Sequence, residues 1–243
     1  MPSSSLLPRR DPSSRAAVPG RDATLVFLGA WFVGQMVASA VALGSGHSSV
    51  STAGPGWLFA VAAAGWVPLV AAVWAIGRRH GAGSLAADYG LSFRATDLWG
   101  IPIGALTQLV ALRVVYLPLH GIWPDTFSTD RLEQRARDLY DSAAGAGLLL
   151  LVVTVVVGAP LVEELVYRGL LQGAFTRGRR PWVAVVAVAA FFAVIHFQPI
   201  EIPGLFTIGL VLGACAWSTR RLGLGVVAHM AFNAAGLLMV ARG

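Results

Sequence analysis

Three short patterns toward the C-terminal end of the chain hold side chains able to move protons or steady a developing charge. They are Glu163-Glu164-Leu165-Val166-Tyr167-Arg168, Phe192 to His196, and His229 to Asn233. After residue 141 the only carboxylates are Glu163, Glu164 and Glu201, the only histidines are His196 and His229, and Asn233 is the single asparagine of the protein. The residues around them are hydrocarbon. Ionisable groups in such surroundings face a bundle interior or a water-filled cavity, because lipid does not solvate them.

Helix geometry gives the charged residues different tasks. Neighbouring residues differ by about 100° in direction, so Glu163 and Glu164 point different ways. Glu164 stands four residues before Arg168, the favourable order for an ion pair on one face. That pair neutralises Glu164 and fits a structural role, locking the helix to its neighbours. Glu163 is left facing elsewhere, and a carboxylate buried beside another negative charge gains the proton affinity a general base needs. His229 and Asn233, also four apart, project from one face. Both donate hydrogen bonds toward one point, which suits an oxyanion and equally suits a cross-link between helices. His196 taken singly reads as an interior histidine.

Depth joins these groups. The turn "TRGRRP" is centred near Arg179, 16 residues after Glu163 and 17 before His196. In an antiparallel hairpin the two come level, each roughly 20–25 Å from the turn. His229 and Asn233 follow Arg221 by 8 and 12 residues, which is roughly 12–18 Å of helix. If the first hairpin protrudes by about two helical turns, all four groups meet in one cavity.

The elements that position them are membrane helices. Of 243 residues, 56% are hydrophobic and 12% charged, against about 25% charged in soluble domains; the mean hydropathy is +0.69. The expected fold is all-α, a polytopic transmembrane bundle. Apolar runs at 23–43, 56–77, 98–119, 145–166, 182–198, 204–219 and 222–241 give about seven spans, within a range of six to eight. The net charge of +6 comes from arginines grouped between those runs, not from a continuous basic face, so nucleic acid is not an expected partner. One set of connections, with the N-terminus, carries 13 arginines and the other carries 4. The first set is therefore expected in the cytoplasm.

Residues 1–22 read as a disordered cytoplasmic tail and 23–243 as one transmembrane domain, with the chemistry-bearing patterns inside 145–240. The first apolar run, despite "ASA" at 38–40, is long enough to remain as an uncleaved span. In "DTFSTDRLEQRARDLYDS", Leu132, Ala136, Leu139 and Tyr140 share one helix face and Ser128 or Thr129 caps the start, giving a short amphipathic helix. Cys215 is the single cysteine, so neither a disulfide framework nor a thiolate metal site is expected.

The three patterns, in this order on successive helices, resemble the CAAX protease and bacteriocin-processing family, the intramembrane glutamic endopeptidases that include type II CAAX prenyl proteases. "FTIGLVLGACAW", residues 206–217, is similar to the glycine-containing helix of that family. The resemblance spans about 145–240, with Tyr167 where the family often has phenylalanine. It implies that Glu163 activates water with His196, that His229 and Asn233 hold the oxyanion, and that Glu164 and Arg168 shape the site. It implies no cofactor, although Glu163, His196 and His229 are also three ligand types suited to zinc. The implied protein is a multi-pass enzyme of a bacterial plasma membrane with its cavity in the cytoplasmic half. Its partners would be the lipid bilayer and a membrane-associated peptide or lipidated protein substrate. Two other functions use the same residue types: a catalytically silent binding or immunity protein, and a proton-coupled transporter. The N-terminal spans lack the matching polar set that an inverted-repeat transporter would carry.

Overall fold

A computed structural model describes residues 15–44, 46, 54–177 and 180–242. These residues form nine helices and no strand. In chain order they are α1 (Gly20–Leu43), α2 (Pro55–His80), the short α3 (Leu85–Tyr89), α4 (Ala95–Ile122), α5 (Thr129–Asp141), α6 (Ala146–Phe175), α7 (Pro181–Val194), α8 (Pro199–Thr219) and α9 (Gly223–Val240). Six of them, α1, α2, α4, α6, α8 and α9, are long and apolar enough to cross a membrane. The chain is an integral, multi-pass membrane protein.

The fifth apolar run, 182–198, forms a shorter helix than its hydropathy suggests. α7 has 14 residues and stops at Val194, before His196. Phe197 has φ +53° and the next residues are Gln198 and Pro199. A positive φ breaks the helical path, and the residue before a proline avoids helical angles. His196 therefore stands in the turn between α7 and α8 and not within a span.

Lipid supplies no hydrophobic drive for helix association, so these helices meet where small residues let backbones approach. Gly100 and Gly104 of α4 press on α9: a Cβ at Gly100 would lie 2.6 Å from Ala228 N, and one at Gly104 would land on Ala228 O. This contact fixes the helix that carries His229 and Asn233. The α8–α9 connection is held by Arg221, whose two Nη atoms donate to Asp97 Oδ2 and Oδ1 at 2.8 and 2.9 Å. At the other end of α4, Tyr116 donates to Ile200 O and accepts from Gly204 N–H, both at 3.0 Å.

α6 departs from α-helical register twice, with i→i+5 bonding over Val152–Gly158 and again over Glu164–Gln172. Pro160 lies between them. Its ring removes a donor and crowds the carbonyl one turn back, a usual reason for a helix to widen.

α5 forms as the periodicity requires. Ser128 Oγ accepts from Arg131 N–H at 3.4 Å, and Leu132, Ala136, Leu139 and Tyr140 are half-buried while Arg131, Gln134, Arg135 and Asp138 are exposed. Of the tail expected over 1–22, residues 1–14 lie outside the described residues, as does Arg179 in the turn before α7. Ala16 and Val18 are buried. Ala16 N–H donates to Asp88 O at 3.2 Å, and Arg177 donates to Ala16 O and to Val18 O.

Candidate active site

The second widened segment of α6 carries the acidic pair. Glu164 and Arg168 are fully enclosed, with Arg168 Nη1 donating to Glu164 Oε1 at 3.0 Å. Arg168 also donates through Nη2 to Gly209 O at 3.2 Å, and its guanidinium carbon lies 4.5 Å from the centre of the Phe192 ring. One turn on, Gln172 Nε2 donates to Gly213 O at 2.9 Å. Two side chains four apart on α6 thus meet two glycine carbonyls four apart on α8. The glycines leave those carbonyls open from the side, and a Cβ at Gly213 would stand 2.9 Å from Gln172 Oε1.

His229 lies between the two glutamates. Its Nδ1 is 3.1 Å from Glu164 Oε1 and its Nε2 is 3.8 Å from Glu163 Oε2. With Nδ1–H donated to Glu164, Nε2 is the nitrogen turned toward Glu163. Glu163 and Glu164 differ sharply in burial: the Glu163 side chain keeps 23% of its surface exposed and Glu164 none.

Phe192 organises what remains. Its ring centre lies 4.6 Å from that of His196 and 6.1 Å from that of His229, both edge-on. Tyr167 packs against the same ring at 5.1 Å. The ring therefore seats the Arg168 cation and stands next to both imidazoles, which gives the phenylalanine of Phe192 to His196 a physical purpose. His196, half-buried, has Nδ1 2.5 Å from Phe192 O, which leaves Nε2 as its outward nitrogen.

Asn233 has a partner that its sequence does not announce. Its Nδ2 donates to Val155 O at 2.8 Å. In the i→i+5 register of that segment the backbone donor for Val155 O would be the nitrogen of Pro160, which carries no hydrogen. The side chain of α9 supplies what the proline withholds. Nδ2 carries a second hydrogen, which this bond does not use.

The structure thus brings Glu163, Glu164, Arg168 and His229 into one chain of contacts, sets His196 against Phe192 beside them, and ties Asn233 to α6. Among the described residues no group of three or more His, Cys, Asp or Glu side chains is placed to hold a metal ion. A cavity of about 400 Å³ touches Arg168 and Gln172 but not Glu163, His196, His229 or Asn233. Sequence reasoning missed Gln172, Gly209, Gly213 and the bridging place of His229. The four-residue spacing of Gly209 and Gly213, matching that of Arg168 and Gln172, was the available signal.

Residues 145–235 match the family model described as type II CAAX prenyl endopeptidase Rce1-like. The match covers the three patterns and bears out the resemblance to the CAAX protease family over that part of the chain. No curated protein and no solved structure matches the chain.

Proposed function

We propose that the protein is an intramembrane endopeptidase that hydrolyses a peptide bond of a membrane-associated peptide or lipidated protein, with Glu163 as the base. One observation carries this reading. The partly open Glu163 carboxylate faces a histidine nitrogen at 3.8 Å, and the opposite nitrogen of that histidine rests on a sealed Glu164–Arg168 pair. A structural cross-link has no use for the open carboxylate.

The oxyanion role of His229 uses a hydrogen on Nε2 in addition to the Nδ1–H given to Glu164. In the reaction Glu163 takes a proton from water, and the water oxygen attacks the scissile carbonyl carbon. The carbonyl oxygen becomes the oxyanion, which receives Nε2–H of His229 and the second Nδ2–H of Asn233. Glu163 then gives its proton to the leaving nitrogen as the C–N bond breaks, regenerating the carboxylate. His196, through Nε2, orients the water together with Glu163.

The test is a peptidase assay on purified protein reconstituted in lipid, with a peptide library containing prenylated and unlipidated members. Cleavage that disappears in Glu163→Gln supports the assignment. Cleavage that persists in that variant at the wild-type rate refutes the role of Glu163, and a wild-type protein inert on every member favours a silent binding protein.

A further inference from the structure

A second site lies at the end of the bundle where α1 and α7 begin and α6 and α8 finish. The cavity there has a volume of about 400 Å³, and Arg15, Arg168, Arg177 and Arg220 lie on its wall. Among the described residues its one acidic lining residue is Asp88. Asp88 is already engaged, with Oδ1 accepting Ala82 N–H at 2.7 Å and Oδ2 accepting Ser84 N–H at 2.9 Å. Glu164 answers the charge of Arg168. Arg15, Arg177 and Arg220 are left facing that single carboxylate.

These cations are held together at a cost. Burial, then the nearby charges of Arg177 and Arg220, push the Arg15 guanidinium below its ordinary pKa, and burial lowers Arg177 as well. Among the described residues, Arg15 Nη2 and Arg168 Nε are buried without a hydrogen-bond partner, and both residues line this cavity. Arg220 reaches the cavity from a left-handed residue, φ +52°, that ends α8. Arg177 donates to the uncharged carbonyls of Ala16 and Val18, which leaves its charge unanswered; buried donors without acceptors and like charges held together are unfavourable unless an anion joins them.

Guanidinium groups pair best with planar or tetrahedral oxyanions through parallel N–H bonds. Several of them on one wall match a group with three or more acceptor oxygens, which a phosphoryl group offers and a halide does not. The cavity opens among helix ends, and Trp217 on its rim is 48% exposed. Tryptophan at a helix end marks headgroup depth in a bilayer. We propose that this cavity binds a phosphoryl anion and that its source is the headgroup of an anionic phospholipid.

The experiment measures thermal unfolding of the full-length protein in neutral detergent while phosphatidylglycerol, phosphatidylcholine or inorganic phosphate is titrated at constant ionic strength. Phosphatidylglycerol is expected to raise the unfolding temperature saturably, and phosphatidylcholine is not. Arg15→Gln and Arg220→Asn should each weaken the apparent affinity about tenfold, the loss expected for one charge-assisted contact. Asparagine is chosen because it tolerates the left-handed conformation at residue 220. Arg15→Lys, which keeps the charge, should retain most of the protection, and unfolding of each variant without probe reports its fold. If inorganic phosphate protects equally and the variants lose that protection, the site stands with its anion drawn from solution. Protection unchanged in both neutral variants, or protection from neither phosphatidylglycerol nor phosphate, overturns the proposal.

Discussion

Two parts of the candidate site lie within a few residues of each other and are built on opposite plans. Around Glu164 the structure is closed: Arg168, His229 and Gln172 are buried, and hydrogen bonds reach across to α8 and α9. Around Glu163 it is sparse, with a partly exposed carboxylate and, among the described residues, a single ionic neighbour at 3.8 Å. His196 belongs to this open side, in the turn beyond α7. A buried network cross-linked to two neighbouring helices holds its geometry, whereas a partly exposed carboxylate with unused acceptor capacity can take up a proton from something else. Under the proposed function the difference separates a scaffold from a reactive surface, although the two carboxylates are adjacent in sequence.

The comparison is broken most directly at Glu163. Glu163→Gln should lower turnover by about 10²–10⁴-fold, the range for losing a general base, with an unchanged unfolding temperature. Arg168→Ala attacks the closed side. It leaves Glu164 enclosed without its cation, which costs about 3–5 kcal/mol, so membrane yield and the unfolding temperature should drop. If the two variants unfold at the same temperature in detergent, the division between closed and open sides is wrong. Asn233→Ala should cut turnover by about 10²–10³-fold through the lost oxyanion donor, and it should also destabilise by about 1–3 kcal/mol because Val155 O loses its donor. A fall in stability without a fall in turnover would make Asn233 a cross-link only. Gln172→Leu should have the smallest effect, about 0.5–1.5 kcal/mol of stability, with activity kept.

Much of this division was legible in the sequence, because it depends on local spacing. Hydrocarbon runs locate the spans, and a glutamate four residues before an arginine gives the ion pair whatever surrounds it. The amphipathic α5 follows from its apolar period in the same way. Other features depend on what a neighbouring helix does. His229 sits between Glu163 and Glu164 because Gly100 and Gly104 let α4 set the position of α9, and no residue of α9 encodes that. The partner of Asn233 required knowing that α6 leaves α-helical register just before Pro160. The end of α7 before His196 was hidden by side chains that, His196 apart, stay apolar through Phe197, since hydropathy records composition and not backbone angles.

The widened turn at Val152–Gly158 also bears on how this chain could change length. An i→i+5 turn accommodates one residue more than an α-turn needs, so α6 carries slack just ahead of the segment that holds Glu163 and Glu164. Removing one residue there would let the helix relax to ordinary register while Glu163 through Arg168 kept their spacing. The upstream half of α6 would swing by about 100°, and Val155 would leave Asn233. Insertions and deletions near Val155 would therefore act as a dial, turning the upstream half of the helix against a fixed downstream half. The backbone carbonyl held by Asn233 is the notch at which that dial now rests.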